Sequence, residues 1–253
     1  MTALLSTTYF GPIQWYQKLY RYDSVVIEQY ESFQKQTYRN RCVIATTQGP
    51  LSLTVPVERT AAANSSLFTL HSSLIKTLRI SNHGNWRRNH WNALVSAYGD
   101  SPFFDYYQDY LRPFFEEPSG EPPYLIDFNQ SILQCVCALL DIQPNVSLST
   151  QFTSTQHSKL NGEADCLQRL SSRLGQTSKL DGSRCSDNSS LFTLHSSLIR
   201  DFREAIRPKH PAPDPDFQPR PYYQVFQQKH GFLPNLSILD LLFNMGPEAI
   251  FYL

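Results

Sequence analysis

The sequence predicts an α+β fold: a small N-terminal mixed sheet packed by several helices, with a disordered Ser-rich insertion. Three observations carry that reading. Short β-branched runs bounded by turn residues are confined to the first 60 of the 253 residues. Apolar residues at helical spacing recur from 85 to 140 and again near the end. From Asn145 to Ser190, 25 of 46 residues are Ser, Thr, Asn, Gln or Gly and only Phe152 is aromatic, too little apolar surface to offset chain entropy. The chain therefore reads as one domain over 1–253 with a flexible insertion at 145–200, and the stretch from Ser147 to Asn188 is expected to be dispensable. At 29.1 kDa and 41% hydrophobic it can bury a core without a metal or disulfide staple.

Gly11-Pro12 turns the chain into a helix from Ile13 to Tyr20, whose Ile13, Tyr16, Leu19 and Tyr20 share helical spacing before Asp23 closes it. Ser24 to Ile27 and Arg41 to Thr46 read as strands. Gln48-Gly49-Pro50 then turns into a third, Leu51 to Val55, which Pro56 ends. Asn85 to Tyr98 is the clearest helix, with Trp91, Leu94, Val95 and Tyr98 as its core stripe and Gly99 at the C′ position. Pro102 precedes an aromatic-rich helix over Phe103 to Phe115, and Leu125 to Leu140 forms another. Six prolines between Pro208 and Pro221 make a stiff extended connector. Ser237 and Asp240 form an S-x-x-D helix start, stopped by Gly246-Pro247, and the apolar tail from Ala249 to Leu253 suits a short strand.

An identical twelve-residue string occupies Asn64 to Ile75 and Asn188 to Ile199. One isolated pair is not a repeat architecture, which needs at least three contiguous units, so both copies read as inserted sequence decorating loops. His71 and His195 within them are poor catalytic candidates.

No apolar run approaches the roughly 20 residues of a membrane-spanning helix, and the start lacks the basic and apolar regions of a secretory signal. A cytoplasmic protein with no membrane span is expected. The five cysteines include no C-x-x-C pair and read as reduced thiols, with Cys42 buried in its strand. His83 and His90 lack zinc-site spacing, and no P-loop, G-x-G-x-x-G or G-x-S-x-G occurs, so no metal is expected and no cofactor or oligomeric state is assigned.

Net charge is zero, but residues 32–99 carry eight bases against Glu58 alone, and residues 100–128 carry seven acids against Arg112 alone. The plain reading is a basic face neutralised by an acidic helix. The functional reading is a compact site for a phosphorylated small molecule; nucleic acid is not expected, since a neutral chain lacks the broad basic footprint that phosphate backbones demand. Lys35, Arg39, Asn40 and Arg41 cluster at a strand entry, where two arginines two residues apart would share a face and could fork onto a phosphate. The bland alternative pairs one of them with Glu28 or Glu31. His83, Asn85 and Arg87 gather at a helix start whose unpaired N–H groups favour an anion, with His90 one turn on as an acid or base.

Tyr9-Phe10-Gly11-Pro12-Ile13-Gln14-Trp15-Tyr16 with Asp23, Tyr38-Arg39-Asn40-Arg41, Leu53-Thr54-Val55-Pro56-Val57, Asn85-Trp86-Arg87 to His90 with Ala97-Tyr98, and Phe232-Leu233-Pro234 to Gly246 together resemble the WbqC-like family. The resemblance covers roughly 8–58, 78–115 and 220–253, and implies a bacterial protein tied to O-antigen and other surface-polysaccharide gene clusters. The expected function is a transferase acting on a sugar nucleotide or amino-sugar intermediate, with Arg39, Arg41 and Arg87 on phosphates and His90 or Glu28 moving a proton. Its rival is a non-catalytic binding or assembly protein that uses the same basic surface and aromatics near Tyr106 and Tyr107. A catalyst needs these groups in one cleft, and a scaffold leaves them dispersed.

Overall fold

Two kinds of strand pairing organise the chain. The structure, a computed structural model, describes residues 1–58, 74–118, 120–153 and 199–253. Strands β1 (Thr2–Ser6), β2 (Ser24–Glu28), β5 (Val146–Leu148) and β6 (Ile199–Asp201) form an all-parallel sheet in the order β5-β2-β1-β6. Strands β3 (Arg41–Thr46) and β4 (Gly49–Thr54) form a separate antiparallel hairpin, with Arg41 opposite Thr54 and Thr46 opposite Gly49. Among the described residues six helices accompany them: α1 (Ile13–Arg21), α2 (Trp86–Tyr98), α3 (Phe104–Leu111), α4 (Leu125–Leu139), the single turn α5 (Gln227–His230) and α6 (Ile238–Met245). The fold is α+β, as the sequence predicts.

The inner strand β1 is one of three strands that carry no alternation or turn signal in the sequence. Ala3, Leu4 and Leu5 are all buried, because a parallel strand covered on both faces reads as a continuous apolar run rather than an alternation. Helix α1 links β1 to β2 as a βαβ crossover and is buried from Ile13 to Leu19, polar residues included. Its Lys18 is fully buried, with Nζ 2.7 Å from Asp214 of the Pro-rich connector and 4.5 Å from the centre of the Phe202 ring. That connector, 208–221, contains neither helix nor strand.

Several expectations need correction. The insertion does not begin at 145 or end at 200: its margins are β5 and β6, three-residue strands on opposite edges of the sheet, too short for periodicity to reveal. The dodecapeptides lie mostly outside the described residues, yet their last residues belong to the fold. Ile75 is fully buried with its N–H on the Glu31 carbonyl, and Ile199 opens β6. The third helix stops at Leu111 and tightens into a 3-10 turn over Arg112–Phe115, because Pro113 cannot continue an α-helix. The C-terminal tail is a 3-10 segment, Gly246–Tyr252, rather than a strand. On α2, Leu94 and Tyr98 are core, Trp91 is half-buried and Val95 is exposed. Gly99 caps that helix in right-handed conformation, not as a left-handed C′ residue.

The hydrophobic core joins α1, the inner residues of β1 to β4, and helices α2, α3, α4 and α6. Gly246, at φ 57°, ends α6 where the Phe103 ring leaves no room: a Cβ there would lie 2.5 Å from the ring. Ser237 caps α6 by accepting from the Leu239 N–H, but Asp240 is not its capping partner. Its buried carboxylate accepts from the hydroxyls of Tyr98 and Tyr222 and from Gln224 Nε2, and Tyr98 Oη in turn accepts the Ala45 N–H at 3.0 Å. A helix-end signal thus hides a network that ties α2, β3 and α6 together.

Candidate functional site

Helix α2 begins on two left-handed residues, Gly84 at φ 84° and Asn85 at φ 49°, and the Asn85 side chain does not cap it. The first N–H groups of the helix therefore face outward with the positive end of the dipole. A recess of about 230 Å³ opens there, lined by Asn82, Asn85, Trp86, Arg87, Arg88, Phe115 and Glu117. The Arg87 guanidinium stacks 4.4 Å over the Trp86 ring and donates to Asn82 Oδ1 at 2.7 Å. Burial pulls its pKa down, while Glu117 and Tyr9 oppose that shift. Arg88 is exposed at the rim and His83 is exposed beside it, its backbone N–H on Ser81 Oγ.

His90 lies one turn further on but faces the core, 5% exposed. Its Nδ1 is 3.0 Å from Tyr9 Oη, and a backbone hydrogen bond at Thr54 favours the protonated ring. Burial pushes the His90 pKa down to about 4, so the ring is neutral at pH 7.

Glu28 and Arg39 lie elsewhere, near the carboxyl ends of the parallel strands, each with its own partners. Glu28 is fully buried and accepts from Ser149 Oγ at 2.6 Å and the Tyr30 N–H at 2.8 Å, with Arg203 Nη1 at 4.0 Å. Arg203 also forks onto Asp201. Arg39, 3% exposed, forks onto Glu31 and donates to Ser6 Oγ at 2.9 Å. Arg41 stands apart on the half-exposed side of β3, bonded to Thr54 Oγ1. Asn40 is spent on the hairpin, donating to the Val55 carbonyl at 2.7 Å, and Lys35 is exposed.

The structure thus brings Asn85 and Arg87 to one opening, pairs Arg39 with Glu31 and Glu28 with Ser149 and Arg203, and places neither Glu28 nor Arg39 at that opening. Phe115 and Glu117 are recess residues that sequence reasoning passes over. Arg88 carries a local signal as the neighbour of Arg87, whereas Phe115 and Glu117 come from the acidic stretch and reach the recess only through tertiary packing. Tyr106 and Tyr110 are exposed on α3, while Tyr107 is core. Cys42 is buried with its thiol pKa pushed up by burial. Among the described residues no three His, Cys, Asp or Glu side chains form a metal-ligating group, and no helix is long and apolar enough to cross a membrane.

These features define an α+β protein built on a short parallel sheet, with a basic recess at a helix start. The chain belongs to the WbqC-like protein family, whose model matches residues 7–252. It is also similar to the uncharacterized protein Rv1507c of Mycobacterium tuberculosis, at 28% identity over 233 residues, 91% of this chain and 87% of that protein. No solved structure matches.

Proposed function

We propose that the protein binds a phosphorylated sugar, as a sugar nucleotide or amino-sugar intermediate, in the recess at the start of α2, and acts on it as a cytoplasmic transferase of surface-polysaccharide synthesis. The observation that carries this reading is the uncapped helix start facing a recess lined by two arginines and two asparagines. The recess is smaller than the roughly 300–1,000 Å³ of drug-sized ligand sites, so it takes the phosphate and the adjoining part of a sugar. The Trp86 and Phe115 rings supply apolar walls, and Glu117 is the carboxylate placed to take a proton from an incoming hydroxyl or amine. Arg39, Glu28 and His90 do not line the recess. The polysaccharide setting rests on what membership of the family implies.

Calorimetry against uridine-, guanosine- and thymidine-diphosphate sugars tests this. At least one should bind with an affinity that falls with added salt. Arg88→Ala, at an exposed position, and Arg87→Ala should each cost roughly 1.5–3 kcal/mol of that binding. Absence of binding at millimolar concentration, or wild-type affinity in both variants, refutes the recess as an anion site. One observation favours the non-catalytic alternative: Tyr106 and Tyr110, 64% and 55% exposed, present an aromatic face beside Asp105 and Asp109 on α3. Binding without turnover of any sugar in the panel would support it.

A further inference from the structure

Glu117 is the odd member of the α2 recess. An opening that holds an anion gains nothing from a carboxylate in its wall, yet Glu117, just past the 3-10 turn of Arg112–Phe115, lines it together with Arg87 and Arg88. A salt bridge that neutralises one arginine would be the plain explanation, and it is not what forms. Among the described residues Glu117 makes no ion pair and no hydrogen bond, and it acts on Arg87 only at longer range, where its charge opposes the downward pull of burial on that pKa. Its neighbour Glu116, by contrast, is paired with Arg112 at 3.5 Å.

The arginines are not used up either. Arg87 is 6% exposed, lies flat on Trp86 and commits Nη1 to Asn82 Oδ1. Its Nε and Nη2 have no partner among the described residues, and neither atom is sealed from solvent, so both stay open to the recess. Exposed Arg88 has no partner among those residues. Charge then selects the ligand. Two guanidinium groups and one carboxylate leave the lining at +1, to which the start of α2 adds about half a charge. A phosphomonoester carries about −1.5 to −2 at pH 7, more than the lining neutralises, and sets its oxygens against Glu117. A ligand that carries an ammonium beside the phosphate nets close to −1 and gives every charge in the wall an opposite partner.

We propose that the recess selects a sugar phosphate whose amine is free, with the phosphate on Arg87, Arg88 and the first N–H groups of α2 and the ammonium on Glu117, which makes Glu117 the specificity-determining residue of the site. This rests on the recess being the anion site described above and narrows its ligand from sugars in general to amino sugars. The opening holds only the phosphate and the adjoining part of the sugar, so the amine lies close to the phosphate, as in a 2-amino sugar 1-phosphate. Acylation removes the positive charge and leaves Glu117 facing the phosphate unpaired, and a hydroxyl in the same place offers a neutral donor of about half the strength.

Calorimetry at about 20 mM salt with glucosamine 1-phosphate, N-acetylglucosamine 1-phosphate and glucose 1-phosphate reads the preference. Glucosamine 1-phosphate should bind about three- to tenfold more tightly than the other two, the gain of one partly exposed charged contact, and the margin should narrow at about 0.5 M salt. Glu117→Gln should abolish the margin by moving the ligands in opposite directions, weakening the amine and leaving the two neutral sugars equal or tighter. Glu117 is exposed, so this variant should keep the wild-type melting temperature, and a merely structural role would not shift the ligands oppositely. Glu117→Asp keeps the charge and should keep part of the margin. Equal affinity of the wild type for all three, or a margin that Glu117→Gln leaves intact, overturns this inference and leaves the anion site standing. Binding by none of the three overturns it as well, and the nucleotide-sugar panel on the same protein then shows whether the anion site falls with it.

Discussion

Arg39→Ala is expected to unfold much of what the parallel sheet organises, through the partner it leaves behind. Arg39 and Glu31 are 3% and 6% exposed, and they form a two-pronged pair with Nε 2.7 Å from Oε1. Ser6 Oγ belongs to the same unit, donating to Glu31 and accepting from Arg39. Truncating the arginine leaves a buried carboxylate with a single hydroxyl donor, which costs about 3–5 kcal/mol, a large share of a total stability of about 5–15 kcal/mol. Removing both charges is different: Glu31→Leu with Arg39→Met strands neither ion, and should fall within about 2 kcal/mol of the wild type. Urea unfolding at neutral pH on the wild type, Glu31→Leu, Arg39→Met and the double variant gives the coupling energy from midpoints at constant m. A loss below about 1 kcal/mol in Arg39→Ala, or additive single losses in the double variant, refutes the buried-pair argument and returns Arg39 to the pool of residues available to a ligand.

The folded His90 pKa of about 4 lies below its ordinary 6.5, so the unfolded chain binds more protons in between; its contribution, about 3 kcal/mol, is complete above pH 6.5 and is lost as pH falls toward 4. Burial raises the Asp240 pKa and gives an opposing slope, so the difference between wild type and His90→Gln, followed by urea unfolding from pH 4 to 7, isolates the histidine. Tyr98→Phe strands the buried Ala45 N–H as well as losing a bond to Asp240, and should cost about 2–3 kcal/mol, against about 1–2 for Tyr222→Phe; equal losses would count against the network. Trp91 is half-buried, with ring centroids 5.5 Å from Phe115 and 6.1 Å from Phe104, so Trp91→Ala should cost about 2–3 kcal/mol rather than the 3–5 of a fully buried ring. Replacing 154–198 by about fifteen Gly and Ser residues, enough for a parallel crossover, should leave the melting temperature within a few degrees. A deletion starting at Ser147 should not, because it removes Ser149, which holds Glu28 and the Gln29 backbone and side chain.

Elements with a full period were legible in the sequence. Helix α1, the hairpin of β3 and β4, and helices α2, α4 and α6 follow spacing and turn chemistry closely, since each is at least six residues long and carries its own start or stop residue. The strands β1, β5 and β6 were not. Leu4 and Leu5 show no alternation, and Val146–Leu148 and Ile199–Asp201 are defined by their neighbours in the sheet rather than by composition. Sites divide in the same way. The α2 recess is assembled chiefly from Asn82 to Arg88, one local run, so its anion-friendly character shows in the letters. The cluster around Glu28 draws on residues 28, 149, 201 and 203, which only the sheet brings together, and nothing around Ser149 or Arg203 marks them in isolation.

The late arrival of β6 has a consequence for how the chain is made. Its partner β1 is made long before it and is an inner strand of the sheet, with Leu4 and Leu5 fully buried once folded. Pairing with β2 covers one side early, but Thr2 to Leu4 find Ile199 to Asp201 only after nearly 200 further residues have been made. At about 5–20 residues per second, that side of an apolar strand stands open for roughly 10–40 s on the ribosome. An unpaired edge is a template for pairing with another nascent chain. Nascent chains stalled before residue 199 should therefore aggregate or recruit chaperones, and those stalled beyond the end of β6 should not.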